Sequence, residues 1–271
     1  MVLHRTPRAF LIALLLLAAG PRPAPAALLD EIQVYVDDLN APGEFSLQLH
    51  MNSTPQGPSH PVADPGGSLP NTASTRFTPE FAWGLGHGLE FGLYTPAVVE
   101  NGGEPRAAAF KLRLKWVPAA AGRTEGTEAP PGTFWGMNAE YAMTRSRYDS
   151  NVRSLELRPI AGWRSEDWLF AANPCLELAF VGDAANRQPV FAPNFKVART
   201  VARGLQAGIE YYGDTGPVQH FDPWSNQQHA LYVAFDLDRK PWNVNFGIGR
   251  GLTGASDRWT VKAIFEIPVG G

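Results

Sequence analysis

The chain has 271 residues, 44% of them hydrophobic, which is enough to form one or two folded domains. It contains one cysteine, Cys175, and therefore no intramolecular disulfide can form. The formal net charge is −3 and no basic cluster is present, which argues against nucleic acid as a partner.

The N-terminus has the pattern of a secretory signal peptide. Arg5 and Arg8 precede the apolar run 9–19, and Ala24-Pro25-Ala26 offers small residues at a cleavage position. The run has about half of the ~20 residues that a membrane-spanning helix needs. We therefore expect residues 1–26 to be removed. Because cleavage takes away Arg5, Arg8 and Arg22 and no acidic residue, the net charge of the mature chain would be −6.

Residues 27–43 are short and mixed in character, and we expect a periplasmic lead-in there, with a small N-terminal strand as the alternative. From residue 44 to residue 271 the dominant hydrophobic period is two, as in strands whose successive side chains point to opposite faces. The clearest case is 110–116, where Phe, Leu, Leu and Trp alternate with Lys, Arg and Lys. The pattern predicts twelve strands, near 45–52, 76–83, 88–94, 110–116, 133–144, 153–164, 167–180, 189–200, 204–213, 228–238, 241–251 and 257–267.

The connections between these strands alternate in length. The longer, polar ones are 53–74, 95–106, 145–152, 181–188, 214–227 and 252–256. The intervening ones are tight, apart from 118–132. Membrane barrels have short periplasmic turns and longer external loops. The sequence therefore predicts an all-β fold, a closed antiparallel transmembrane β-barrel of about twelve strands.

Six tryptophans fall at strand ends on the short-turn side, where a membrane interface would select amphipathic aromatics. They are Trp83, Trp116, Trp135, Trp163, Trp168 and Trp242. A soluble periplasmic β-sandwich, in which tryptophans cap the core, is the alternative. Pro79, Pro159, Pro174 and Pro193 lie inside proposed strands, and we expect bulges or strand ends to accommodate them.

If the apolar side chains face lipid, the polar ones face the lumen. The candidate lumen-lining residues are Arg76, Glu80, Glu90, Lys111, Arg113, Lys115, Glu140, Glu156, Arg158, Glu177, Lys196, Glu210 and Lys262. Two interpretations remain open: a water-filled path whose charges steer solutes, or a lumen packed shut by ion pairs.

Signals for catalysis are weak, and we expect no enzyme, no metal site and no cofactor. Ser225 and His229 share one strand phase but have no identifiable third partner, so a membrane-embedded hydrolase is a minor alternative. Cys175 falls in the inward phase, where a small filler side chain is the simplest interpretation.

Three segments carry a resemblance: Glu31-Ile32-Gln33-Val34-Tyr35, the turn Asn40-Ala41-Pro42-Gly43-Glu44, and the closing strand 259–267. They resemble proteobacterial outer-membrane β-barrel proteins grouped loosely with the channel family of meta-pathway phenol degradation. The resemblance implies a bacterial outer-membrane location and a transport-type barrel for small or apolar compounds. Pro268-Val269-Gly270-Gly271 departs from the aromatic ending of many barrels, and Phe265 is the candidate for that role.

The expected function is a passive or weakly selective channel for small solutes. A closed structural or adhesive barrel that acts through its outer loops is the alternative. The expected partners are outer-membrane lipid and the barrel-assembly machinery.

Overall fold

The computed structural model describes residues 30–60, 67–118, 130–185, 188–239 and 242–268, and these residues form one β-sheet. Its strand segments are β1 Phe45–Gln56, β2 Ser74–Gly86, β3 Leu89–Tyr94, β4 Ala97–Glu100, β5 Pro105–Ala107, β6 Ala109–Trp116, β7 Gly132–Thr144, β8 Asn151–Arg164, β9 Trp168–Gly182, β10 Val190–Ala202, β11 Leu205–Asp214, β12 Gln228–Arg239, β13 Trp242–Gly251 and β14 Trp259–Pro268. A short 3-10 helix, Asn71–Ala73, precedes β2. Among the described residues, no helix is long and apolar enough to cross a membrane.

The sheet closes on itself, because β1 pairs antiparallel with both β2 and β14. His50 of β1, for example, faces Thr78 on one side and Ile264 on the other. Segments β3 and β4 occupy one position in the wall and are separated only by Thr95-Pro96; β5 and β6 are likewise separated by Ala108. The fourteen segments therefore form twelve wall strands, and the predicted closed antiparallel barrel is confirmed.

Side chains alternate between the lumen and the outer surface, as the period of two requires. In β7, Phe134, Asn138 and Glu140 are buried inside the barrel, whereas Trp135 and Met137 are exposed on the outside. The outward positions of β10–β13 carry exposed Phe, Val, Ile and Leu side chains in the same way. A closed wall with an apolar outside satisfies its backbone hydrogen bonds internally, as a bilayer requires.

Short and long connections lie at opposite ends of the barrel, as predicted. The turn between β2 and β3 has His87 and Gly88 at positive φ, 56° and 76°, which a two-residue type I′ hairpin needs. A side chain at position 88 would place its Cβ 2.1 Å from the carbonyl oxygen of Val117, so only glycine fits. The predicted loop 95–106 is wrong: the chain continues there as β4 and β5, and only 101–104 forms the connecting turn. The tract 119–129 of the expected long connection 118–132 lies outside the described residues.

Three of the four prolines inside strands are accommodated by facing one another, and not by the predicted bulges or strand ends. Pro159 and Pro174 lie opposite each other where the β8–β9 ladder is interrupted, between the pairs Leu157–Leu176 and Ala161–Ala172, with no shift of register. Pro174 also pairs with Pro193 across β9 and β10. Residues that lack a backbone N–H therefore face one another in adjacent strands. Fewer backbone carbonyl groups are then left without a hydrogen-bond donor than if each proline faced a different residue.

Residues 30–40 lie inside the barrel. The expected place of residues 27–43 is a lead-in on the periplasmic side, but Val34 and Tyr35 pack in the lumen against Phe134, Ile160 and Ala198. The backbone then turns at Ala41–Gly43, where the N–H of Gly43 donates to the carbonyl oxygen of Gly84 at the short-turn end. Residues 27–29, like the expected signal peptide 1–26, lie outside the described residues.

Candidate functional site in the barrel lumen

The lumen is crossed by residues 30–40, here called the lumen segment. Its backbone is held from three strands of the wall. Asn173 of β9 accepts from the N–H of Tyr35 at 2.7 Å and donates to the Tyr35 carbonyl oxygen at 3.0 Å. Arg158 of β8 donates to the carbonyl oxygen of Gln33, and Lys262 of β14 donates to that of Ile32, both at 3.0 Å. The segment is therefore fixed in place without belonging to the sheet.

The side chain of Tyr35 is buried in the lumen. Its hydroxyl lies 2.8 Å from that of Tyr94, and its ring lies under the guanidinium of Arg158, whose Cζ is 4.4 Å from the ring centroid. Arg113 approaches the same ring at 5.7 Å. A cation over an aromatic face is stabilised by the ring quadrupole, so the Tyr35 ring helps to stabilise the buried guanidinium groups of Arg158 and Arg113.

Ion pairs hold the two ends of the lumen segment. Lys111 on β6 pairs with Asp30 at 2.7 Å, and Lys115, four residues further along the same strand, pairs with Asp38 at 2.6 Å. Arg113 lies between these two lysines and instead pairs with Glu80 at 2.6 Å. The three cations of β6, whose mutual repulsion demands partners, thus find their acids on the lumen segment and on the neighbouring strands.

A second charged cluster lies across the lumen. Glu210 of β11 is 1% exposed and accepts a very short hydrogen bond from Lys262. Lys196 lies 3.2 Å from the same carboxylate and 2.8 Å from Asp236. Because a buried carboxylate without cations would be costly, this cluster stabilises the closed wall only as long as all its members are present.

Two chambers bounded by described residues lie on either side of the lumen segment. The outer chamber, toward the long loops, has a volume of about 210 Å³ and is bounded by Asp30, Glu177 and Tyr212, among other residues. The inner chamber, toward the short turns, has a volume of about 510 Å³ and is bounded by Gln48, Lys196 and Glu266, among others. Gln33 contributes to both walls, so the two chambers approach each other at the lumen segment.

All thirteen candidate lumen residues point into the barrel. Eleven are buried, and the other two, Glu156 and Glu177, line the outer chamber. The six candidate interface tryptophans are 39–53% exposed on the outer surface near the short turns. Their contact with lipid headgroups stays a prediction.

Sequence reasoning missed the acidic residues and Tyr35 of the lumen segment. Asp30 and Asp37-Asp38 form ion pairs with Lys111, Arg164 and Lys115. The signal for them was the set of three cations that β6 carries in the inward phase, because three like charges on one strand need acidic partners. Nothing in the local pattern of residues 30–40 indicated which acids would supply the balance.

The hydrolase hypothesis finds no geometric support in the described residues. Ser225 donates to Asn226, whereas the ring nitrogens of His229 bind the hydroxyl of Tyr211 at 2.6 Å and the amide oxygen of Gln227 at 2.8 Å. Cys175 is fully buried. No group of side chains in the described part of the chain could hold a metal ion.

The carboxylates of Asp257 and Glu100, at the outer end of the barrel, have shifted pKa values. Burial raises the pKa of Asp257 in the loop before β14, although a hydrogen bond from Asn71 opposes the shift. Arg147 and the hydroxyl of Tyr148 donate to Glu100 at the tip of the β4–β5 hairpin and lower its pKa to about 2. The Glu100–Arg147 pair therefore remains ionised at any ordinary pH and ties the hairpin to the loop before β8.

No family model matches the sequence, and no curated protein matches it either. Solved outer-membrane barrels do match the structure. The COG4313 outer membrane channel from Pseudomonas putida F1 has a TM-score of 0.59 at 10% identity, over 88% of this chain and 100% of that one. The KdgM porin has a TM-score of 0.52 at 8% identity, over 83% and 99% of the two chains. The NanC porin has a TM-score of 0.52 at 7% identity, over 84% and 100%.

At these identities the likeness establishes the fold alone. The protein has the fold of outer-membrane β-barrel porins and channels: a closed wall of twelve antiparallel strands with polar side chains inside and apolar side chains outside.

Proposed function

We propose that this chain is a narrow channel of the bacterial outer membrane that carries small solutes past the lumen segment. The observation that carries the proposal is the pair of chambers inside a closed wall, both of which are lined by Gln33. Space of this kind is unnecessary in a barrel that serves only as a scaffold, whose lumen side chains can pack completely.

The lumen segment sets the width of the proposed path. Tyr35 and its partners fill the side of β6–β9, while the side of β10–β14 keeps the inner chamber open. The solutes would therefore be small. The likeness of the fold to porins and channels supports transport, and the resemblance to the channel family of meta-pathway phenol degradation supports a small organic compound. Export through a cleaved signal peptide, insertion by the barrel-assembly machinery and contact with outer-membrane lipid belong to the same proposal.

Conductance in planar bilayers tests the proposal. The chain from residue 27 is refolded in detergent and compared with a chain that begins at residue 39 and so lacks most of the lumen segment. We expect a small conductance from the first and a conductance several-fold larger from the second. Gel mobility with and without heating provides the control, because a folded barrel of either length must shift on boiling.

A heat-shifting barrel that passes no current in either form would overturn the channel. The alternative, a closed barrel that acts through its outer loops, would then be favoured by the dense ion pairs around Arg113 and Glu210.

A further inference from the structure

Acidic side chains outnumber cationic ones in the walls of both chambers. Eight carboxylates line the outer chamber against two cations, Lys111 and Arg158. Five line the inner chamber against Lys196 alone. Walls of one sign in a narrow, low-dielectric cleft focus the field and concentrate counter-ions.

The cations of β6 already have acidic partners. Lys111 and Lys115 are occupied with the lumen segment, and Arg113 with Glu80 and Glu90. Within the described residues, by contrast, Glu177 on β9 and Asp214 on β11 form no ion pair, and both line the outer chamber. The distribution leaves acidic groups without cationic partners beside the open space of the outer chamber.

Three buried oxygen atoms of residues in the chamber walls are hydrogen-bond acceptors that receive no donor. Glu31 has a side chain only 3% exposed, and its Oε1 accepts no hydrogen bond; the nearest cation, Arg158 Nη1, is 3.9 Å away. In the inner chamber Asn245 donates its amide N–H to Asp236, which fixes the amide orientation and leaves the buried Asn245 Oδ1 without a donor. Gln48 bonds Glu266 and likewise leaves its own oxygen without one. A solute that donates hydrogen bonds would complete all three groups.

We propose that the path through the two chambers is selective for cations, and that its solutes are small organic ammonium ions. The inference rests on the proposed channel function and names its solute class. An ammonium group supplies both the positive charge that the carboxylates lack and the N–H donors that Glu31, Gln48 and Asn245 lack. A wholly apolar compound would supply neither. Rings of acidic side chains select cations in other channels for the same electrostatic reason.

The size of the effect follows from the wall charge. A mean chamber potential of about −1 kT enriches monovalent cations over anions by about sevenfold, and cleft potentials reach several kT. The preference should weaken at ~1 M salt, where the screening length falls to about 3 Å.

Reversal potentials in a KCl gradient test the inference on the chain from residue 27 and on the wider chain from residue 39. We expect potassium to permeate at least about fivefold better than chloride. Methylammonium should replace potassium as the current carrier, whereas an anion of similar size, such as acetate, should not. The double variant Glu177→Gln/Asp214→Asn should lower the cation preference at least twofold. Asn at 214 keeps the oxygen that accepts from the N–H of Gly216, so the turn is preserved.

Glu166→Gln is the matched control, because Glu166 is an exposed acid in the short turn between β8 and β9, outside both chambers. Its cation preference should equal that of the unmodified chain. A conducting barrel with no preference, with a preference for chloride, or with the same preference after the double substitution would overturn cation selection while leaving the channel standing. Absence of current from both chain lengths would overturn the channel itself, and cation selection with it.

Discussion

Asn173 is the side chain whose removal should release the lumen segment most cleanly. It is fully buried and makes two hydrogen bonds to the backbone of Tyr35. The substitution Asn173→Leu preserves the approximate shape of the side chain and removes both bonds. Each bond contributes about 0.5–1.5 kcal/mol net, and lumen water can replace part of the loss, so we expect the docked state of the segment to be weakened by about 2 kcal/mol. That shift changes the docking equilibrium by about thirtyfold.

Single-channel recording measures this change. In the Asn173→Leu variant the current should switch more often to the larger level expected of the chain from residue 39. Asn194→Leu is the matched control: Asn194 faces Asn173 across β9 and β10 and is buried in the same wall, but it bonds the sulfur of Cys175 and not the lumen segment. If both variants behaved alike, or if Asn173→Leu left the current unchanged, the bonds to Tyr35 would not hold the segment in place.

Three further substitutions test other parts of the account. Glu210→Gln should lower the stability of the barrel by about 3 kcal/mol, because it removes the one carboxylate that Lys196 and Lys262 share. Lys196 would keep Asp236, whereas Lys262 would keep only uncharged acceptors, the Ile32 carbonyl and the Tyr212 hydroxyl. The heat-shifted band should then appear at lower temperature, and an unchanged transition would mean that the cluster contributes little. Because the pKa of Glu100 is lowered to about 2, its pairing with Arg147 stabilises the hairpin at neutral pH and is lost only as the pH falls toward 2. An NMR titration should therefore show a Glu100 midpoint near 2 that rises toward the ordinary carboxyl value in Arg147→Gln, and a midpoint already at the ordinary value would contradict the pairing. Gly84→Ala should displace the turn that joins the lumen segment to β1, because the new Cβ would lie 2.1 Å from the carbonyl oxygen of Ala41. The expected loss in the free energy of unfolding is about 1–3 kcal/mol. Normal heat stability and conductance in this variant would show that the turn can move freely.

The wall of the barrel could be predicted from the sequence because its signals are local. Alternation such as that of residues 110–116 places Lys111 and Arg113 on one face whatever the strand pairs with. The alternating lengths of the connections indicated which end of the barrel has the short turns. The tryptophans at strand ends indicated the same end. The error at 95–106 arose at Pro96 and Ala108, where the pattern breaks for only one or two residues and the strands continue beyond.

The contents of the lumen could not be predicted in the same way. Residues 30–40 have no periodicity of their own, and their position depends on partners more than a hundred residues away, such as Asn173 and Lys262. The meeting of Pro159, Pro174 and Pro193 depends on the register between strands, which alternation alone determines only to within two residues. Burial of the acids beside Lys111 and Lys115 follows from charge balance once the fold is known, but charge balance does not say which acids those are.

The central claim is that solutes pass the lumen segment at Gln33, where the two chambers approach each other. Substituted-cysteine accessibility tests it directly: Gln33→Cys is placed in a Cys175→Ser background, and a thiol reagent is added during conductance measurements from either side of the bilayer. Modification should reduce the current in both cases, because Gln33 lines both chambers. A current that persists unchanged after complete labelling of the cysteine would contradict the account, since the path would then run elsewhere.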